Sequence, residues 1–261
     1  SLDMGKLHTY KYNDDLFKKV TTLPGATNHG MIMVLDWSGS MCDNLTGTLA
    51  QLFNLIWFCR QTKIPFEVFA FSDVYGKISR NCPIEDDENF KAGDLEMRNI
   101  NLLTMFSSKM KTDEEMTMMH NLWMVANQWQ RRNWRETGCP IRFPHNLNLG
   151  GTPLNEAIVA MMDVVPKFRN DTGVQKVNTI FLTDGASNSP KGIYDYKLNT
   201  DTGEHYKTTN SFPYWHDTTD VMITDPKTNK TYKVNRRNTT NKLLEILKDR
   251  VSDMNIIGFF I

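Results

Sequence analysis

The chain has 261 residues, of which 40% are hydrophobic and 23% charged, so it can bury a large core and is not of the disordered class. Lys plus Arg and Asp plus Glu both total 30, so no overall charge favours binding to nucleic acid or to a membrane surface. No apolar run reaches the roughly 18 residues of a membrane-spanning helix. The four scattered cysteines form no CxxC pair, which favours reduced thiols and a cytoplasmic location.

The first half of the chain predicts a strand, a helix and a strand in succession. Residues 1–29 are mixed and polar, and we expect an N-terminal extension there. Residues 31–35 form a continuous apolar run, typical of a strand covered on both faces. Apolar side chains recur at helical spacing over residues 45–62, and a second apolar strand follows at 66–71. This order predicts a βαβ unit and an α/β sheet.

The second half predicts two more helices from their starting signals. Thr112 and Glu115 indicate a capping box, from which a helix would run to about Arg135. Thr152 and Pro153 suit the N-cap and first position of the next helix. The remaining core elements are predicted as a strand at 177–183, a helix at 240–250 and a strand at 254–260.

Two stretches, at about 80–112 and 186–238, interrupt this pattern and are predicted to be insertions in the core. The second insertion is polar and aromatic-rich, which is typical of hairpins rather than of a buried sheet. The expected hairpin pairings are 221–224 with 231–234, and 194–196 with 205–207.

Three polar segments, 36–40, 150–153 and 183–185, are expected at the carboxyl ends of core strands. Open α/β sheets bind ligands at that rim. Hard divalent cations such as Mg²⁺ prefer oxygen ligands, and two carboxylates balance their charge while neutral hydroxyls add none. An ion held in this way keeps its attraction for one further carboxylate. The candidate metal ligands are Asp36, Ser38, Ser40, Thr152 and Asp184.

Each segment alone also has an ordinary structural explanation. Ser and Asp favour helix caps, Thr152 with Pro153 suits a cap, and Asp184 with Gly185 is a common turn dipeptide. It is the three segments in this order that favour a metal site. Glycines in these segments suit loops that turn sharply and approach an ion closely, namely Gly39, Gly150 and Gly151.

The pattern Asp36-x-Ser38-x-Ser40, then Thr152, then Asp184, resembles the metal-ion-dependent adhesion site of von Willebrand A domains. The resemblance implies that Ser38 and Ser40 bind the ion directly. It implies that Thr152 does so in one conformation, and that Asp36 and Asp184 act directly or through water.

The same resemblance implies a fold. It predicts a Rossmann-like, doubly wound, mostly parallel α/β sheet flanked by helices over residues 30–261, carrying the hairpin-rich insertion. It also implies that the last strand and helix of the full domain are missing. The motifs are similar to those of intracellular microbial or phage members, which work beside AAA+ ATPases of the MoxR type or in magnesium- and cobalt-chelatase complexes.

The function predicted is a binding module and not an enzyme. We expect Mg²⁺, with Mn²⁺ or Ca²⁺ as alternatives, to recruit an Asp or Glu of a partner protein in the cytoplasm, or in the host cytoplasm if the chain is phage-encoded. The alternative is a subunit of a metal-chelatase-like or metallohydrolase assembly, for which only Asp43 and Asp73 are obvious additional acids. RNA binding is disfavoured by the neutral charge.

Overall fold

The computed structural model describes residues 28–73, 94–97, 100–130, 144–185, 187–188, 191–198, 200–203, 205–211, 221–235 and 237–260. The helices in these ranges are α1 (Leu45–Thr62), α2 (Thr112–Trp129), α3 (Leu154–Thr172) and α4 (Thr239–Arg250). The strands are β1 (His29–Asp36), β2 (Phe66–Ser72), β3 (Leu95–Glu96), β4 (Asn101–Ser107), β5 (Lys176–Thr183), β6 (Lys191–Leu198), β7 (His205–Ser211), β8 (Val221–Thr224), β9 (Thr231–Val234) and β10 (Met254–Phe260).

The centre of the fold is a five-stranded sheet in the order β10-β5-β1-β2-β4. Its four strands β10, β5, β1 and β2 are parallel to their neighbours, whereas β4 runs antiparallel to β2. The predicted mostly parallel α/β sheet is therefore confirmed. Because β1 lies in the middle, its carboxyl end has a strand end on either side.

Helices cover both faces of this sheet, as a doubly wound fold requires. Met33 and Leu35 of β1 pack in the core formed with α1 and α2. Ile32 and Val34 point the other way, into the core formed with α3 and α4. Burying each such side chain contributes about 1.5–3 kcal/mol. The continuous apolar run that predicted β1 thus serves two separate cores.

Strand β4 was missed by sequence reasoning, which placed its residues inside an insertion at 80–112. It pairs with β2 as an edge strand of the central sheet, with a register shift between Val68 and Phe69. The strand predicted near 77–80 lies outside the described residues.

The predicted limits of α2 were wrong at both ends. Helix α2 ends at Trp129 and not near Arg135, a residue outside the described ranges. At its start, the main-chain N–H of Lys111 donates to Glu114 at 3.1 Å, so Thr112 and Glu115 form no capping box. The carboxylate of Glu115 instead accepts a 2.9 Å hydrogen bond from Nε of Arg60 on α1.

Helix α3 begins at Leu154, one residue later than its signals predict. Pro153 precedes the helix with φ −81° and ψ 56°, which are not helical values. Thr152 therefore lies outside the N-cap position that sequence reasoning gave it. This frees its side chain from a capping role.

The predicted hairpin of 221–224 with 231–234 is confirmed, and the second predicted hairpin forms with a shifted register, in which 205–207 lie opposite 196–198. Strands β8 and β9 pair antiparallel over the expected residues, and β6 pairs with β7 in a second small sheet that also includes β3. The β8–β9 hairpin docks on α4, where Arg250 donates a 2.7 Å hydrogen bond to Asp225 and Tyr232 donates one of 2.6 Å to Asp249. None of the helices in the described part of the chain is long and apolar enough to cross a bilayer.

Candidate metal centre

The parallel pairing of β1 with β5 brings two of the predicted segments together. Leu35 is opposite Leu182, so Asp36 at the end of β1 stands beside Thr183 at the end of β5. Asp184 follows in the next position of the chain, and its charge acts on Asp36. Two of the expected carboxylates therefore share one rim of the sheet.

Asp36 is fully buried, and its two carboxylate oxygens differ in their partners. Oδ2 accepts a 2.7 Å hydrogen bond from the hydroxyl of Thr183. Oδ1 is buried and has no hydrogen-bond partner among the described residues. A buried polar atom left in this state costs about 1–3 kcal/mol, so it requires an explanation.

Burial raises the pKa of Asp36 from 3.8 to about 6. The hydrogen bond from Thr183 and the nearby polar groups of Ser38 oppose this increase, and the nearby carboxylate of Asp184 adds to it. The site thus destabilises the carboxylate that it contains, because there is too little positive charge or hydrogen bonding to compensate for lost water. A bound cation would reverse that balance.

The hydroxyls of Ser38 and Ser40 face each other, with their oxygens 3.0 Å apart. Ser38 precedes a 3₁₀ turn over Gly39–Asp43, yet its side chain makes no capping hydrogen bond to that turn. The ordinary capping explanation for this segment is therefore contradicted at Ser38. Both hydroxyls retain oxygen lone pairs that a cation can use.

Main-chain hydrogen bonds join the segment that contains Thr152 to the loop after β1. Ser38 and Gly150 form a short parallel bridge, in which Gly39 N–H donates to the carbonyl of Gly150 at 2.8 Å. The expectation that this segment follows a core strand was wrong, because the element before it is the 3₁₀ turn His145–Leu147. The hydroxyl of Thr152 makes no hydrogen bond within the described residues, while its carbonyl accepts one from Asn188 N–H at 2.9 Å.

The structure thus brings Asp36, Ser38 and Ser40 together in one loop, with Asp184 on the adjacent strand end and the Thr152 segment bridged alongside. The oxygen donors available are two carboxylates and three hydroxyls. Within the described ranges there is no group of three or more His, Cys, Asp and Glu side chains that could hold a metal ion. Any metal ion at this rim would therefore depend on hydroxyl ligands as well as carboxylates.

Sequence reasoning missed two side chains of the site. Thr183 was part of a quoted segment but had no role, although it orients Asp36. Asp73, directly after β2, was considered only as an extra acid. Its Oδ1 accepts a 2.5 Å hydrogen bond from the main-chain N–H of Gly151. The spacing of residues along the chain indicated neither contact, because Thr183 and Asp36 are 147 positions apart and Asp73 and Gly151 are 78 positions apart.

The explanation given for the glycines also needs correction. Gly39, Gly150 and Gly151 all lack a positive φ, so no sharp left-handed turn requires them. A Cβ on Gly151 would lie 2.6 Å from Oδ2 of Asp73, and one on Gly150 would collide with Oδ1 of the same carboxylate. The two adjacent glycines therefore make room for Asp73.

Comparisons with known proteins add little to this description. No family model and no curated protein matches the chain. Among solved structures, it is similar to the pilus adhesin SpaC from Lactobacillus rhamnosus GG in an open conformation, at 14% identity and a TM-score of 0.46. The match covers 88% of this chain but only 24% of the adhesin, so the chain spans about a quarter of that protein's length. A similarity at this level carries no functional argument.

Proposed function

We propose that the chain is a metal-dependent protein-binding module of the von Willebrand A type. In this proposal Mg²⁺ at the sheet rim recruits an Asp or Glu side chain of a partner protein. The residues that would hold the ion are Asp36, Ser38, Ser40, Thr152 and Asp184.

The observation that carries the proposal is the buried Oδ1 of Asp36, which lacks a hydrogen-bond partner among the described residues. A purely structural aspartate at a strand end is expected to have both oxygens hydrogen-bonded. Thr183 orients Asp36 through Oδ2 and leaves Oδ1 available. A cation is the partner that relieves both this unpaired oxygen and the raised pKa of the carboxyl group.

The composition of the donor set supports Mg²⁺, with Mn²⁺ and Ca²⁺ as alternatives. Two carboxylates neutralise a divalent charge, and the hydroxyls of Ser38, Ser40 and Thr152 supply oxygens without further charge. When bound, such an ion supplies a positive charge with remaining affinity for an external carboxylate. The protein's own part is to orient Asp36 through Thr183 and to hold the two serine hydroxyls 3.0 Å apart.

The proposal extends to the partner and its setting. A partner carboxylate fits because the neutral hydroxyls leave the site able to accept another anion. We place the module in the cytoplasm, beside an AAA+ ATPase of the MoxR type, on the strength of the motif resemblance alone. The enzymatic alternative stays a prediction without an observation in its favour, since the carboxylate of Asp73 is directed to the main chain of Gly151.

Metal binding is tested by thermal unfolding of the purified chain in MgCl₂ or in EDTA. Titration calorimetry with MgCl₂ gives the dissociation constant. At a hundred times the dissociation constant, Mg²⁺ should stabilise the wild type by about 2.7 kcal/mol. Asp36→Asn should abolish the response. Asp163→Asn is the matched control, because that side chain on α3 is 84% exposed and is not one of the proposed ligands.

Partner binding needs a second measurement. Acidic peptides and their Asn or Gln counterparts are immobilised, and capture of the chain is compared with and without EDTA. The proposal expects capture by the acidic peptides only, lost on chelation and in Asp36→Asn. Capture that survives both treatments, or an equal gain in stability on adding Mg²⁺ in the wild type and in Asp36→Asn, would contradict it.

A further inference from the structure

Asp73 contacts the rim from the side opposite to Asp184. It directly follows β2, the neighbour of β1, and the N–H of Trp37 donates to the carbonyl of Phe71 at 2.9 Å just before it. From there Oδ1 of Asp73 reaches across to the N–H of Gly151, a residue 78 positions away in the chain. The side chain thus joins the end of β2 to the segment that contains Thr152.

The fit between this carboxylate and the two glycines is tight. Oδ2 lies where a Cβ on Gly151 would approach it to 2.6 Å, and the same Cβ would be 3.0 Å from Nδ2 of Asn188. A Cβ on Gly150 would also be 3.2 Å from the main-chain oxygen of Asp73. Real Cβ atoms are rarely found at such distances, so the segment can occupy this position only without side chains there.

The other contacts of the segment 150–152 come mainly from main-chain groups. Gly39 N–H binds the carbonyl of Gly150, and Asn188 N–H binds the carbonyl of Thr152. Asp73 supplies the acceptor for the N–H of Gly151, and an ionised acceptor makes a stronger hydrogen bond than a neutral one. Removing it leaves this N–H, in the half-buried centre of the segment, without its acceptor.

We infer that Asp73 is a positioning residue, whose carboxylate holds the segment 150–152 against the rim and thereby places Thr152 for cation binding. Its consequence for the cation rests on the proposed function, whereas the contact with Gly151 does not. Asp73 acts in this inference through the main chain and not as a ligand.

The experiment compares the wild type with Asp73→Ala, Asp73→Asn and Gly151→Ala. Mg²⁺ affinity is measured by titration calorimetry, and amide hydrogen exchange is measured without metal on peptides covering residues 145–157. Loss of a hydrogen bond to a charged group should weaken Mg²⁺ binding on the order of tenfold in Asp73→Ala. Exchange near Gly151 should become faster. Asp73→Asn should retain part of the affinity, because its amide oxygen can still accept from Gly151.

Gly151→Ala adds a second test, in which its effect is compared in the wild-type and Asp73→Ala backgrounds. The new methyl group meets the carboxylate of Asp73, so the substitution should weaken Mg²⁺ binding in the wild-type background. In the Asp73→Ala background it should cost less, giving a non-additive pair. Equal costs in both backgrounds would overturn the inference.

Two other results would also overturn it. Faster exchange in Asp73→Ala with unchanged Mg²⁺ affinity means that Asp73 is merely structural. Lost affinity in both Asp73→Ala and Asp73→Asn with unchanged exchange means that Asp73 is itself a ligand. If the wild type binds no Mg²⁺, the proposed function fails, and the exchange rates then decide the positioning role: faster exchange in Asp73→Ala supports it and equal rates contradict it.

Discussion

The hydroxyl of Thr183 donates a 2.7 Å hydrogen bond to Oδ2 of Asp36, and so joins the carboxyl ends of β5 and β1. Thr179, four residues earlier on β5, is equally buried, but its hydroxyl has no hydrogen-bond partner among the described residues. The strand therefore contains two equally buried threonines, one with a hydrogen-bonded hydroxyl and one without. They form a matched pair for substitution.

Replacing Thr183 with Val should lower the free energy of unfolding by about 1–3 kcal/mol, because Asp36 loses a donor while remaining buried. The same substitution at Thr179 should be neutral or stabilising, since it removes a hydroxyl that has no partner. Urea unfolding of both variants measures the difference. A loss at Thr179 as large as that at Thr183 would show that the hydrogen bond to Asp36 is unimportant.

Asp36 should make the metal-free chain less stable as the pH rises. Its pKa in the folded state is about 6 against an ordinary value of 3.8, so the folded chain holds this proton more tightly. The contribution to stability is complete below about pH 4 and is lost as the pH increases to about 6, with a total of roughly 3 kcal/mol at 1.36 kcal/mol per pKa unit.

Asp36→Asn removes this dependence and isolates it from other titrating groups. In EDTA, the variant should become more stable than the wild type between pH 4 and 6, and should stay so at higher pH. Urea unfolding at several pH values gives the difference between the two proteins. A difference that does not change with pH would contradict the pKa assigned to Asp36.

The buried ion pair between Asp225 and Arg250 should stabilise the fold at neutral pH and lose this contribution in acid. The guanidinium of Arg250, together with hydrogen bonds from Thr228, holds the pKa of Asp225 well below its ordinary value. A lowered pKa gives stability above the unfolded value near 3.9 that is lost as the pH falls through the folded value. Arg250→Met should lower the free energy of unfolding by about 3–5 kcal/mol at pH 7, because it leaves a buried carboxylate without its counter-charge.

An exposed ion pair on the same helix is the control for Arg250→Met. Lys242 and Glu245 of α4 are 2.8 Å apart, with side chains 30% and 53% exposed. Lys242→Met should change the free energy of unfolding by less than about 1 kcal/mol. Similar losses of stability for both substitutions, measured by urea unfolding at pH 7, would mean that burial of Asp225 does not determine how much its ion pair contributes.

Trp37 stabilises the loop that precedes the Thr152 segment. Its Nε1–H donates a 2.9 Å hydrogen bond to the carbonyl of Leu147 from a fully buried ring. Trp37→Phe should lower the free energy of unfolding by about 1–3 kcal/mol, as the carbonyl loses its donor. Trp57→Phe, at a half-exposed site on α1, should change it by less than about 0.5 kcal/mol.

Residue patterns predicted the parts of the fold that are buried on two sides or built from local signals. The run 31–35 of β1 is apolar throughout because it contacts helices on both faces of the sheet. Strand β4 escaped prediction because Thr104 interrupts its apolar residues and only Met105 and Phe106 are fully buried.

The residues of the candidate site that lie close together in the sequence could be predicted, and those that meet only in the folded sheet could not. Asp36, Ser38 and Ser40 come from one loop, and their spacing can be recognised directly. The roles of Thr183 and Asp73 depend on which strands are neighbours in the sheet. No spacing along the chain contains that information, since it is created when β1 pairs with β2 and β5.

The space shared by Asp73, Gly150 and Gly151 has a consequence for evolution. A sequence that keeps the aspartate tolerates no side chain at either glycine, whereas a sequence that replaces it with a small residue loses that restriction. Positions 73, 150 and 151 should therefore change together during divergence. Among relatives of this chain, an alanine at 151 should be found together with loss of the acid at 73.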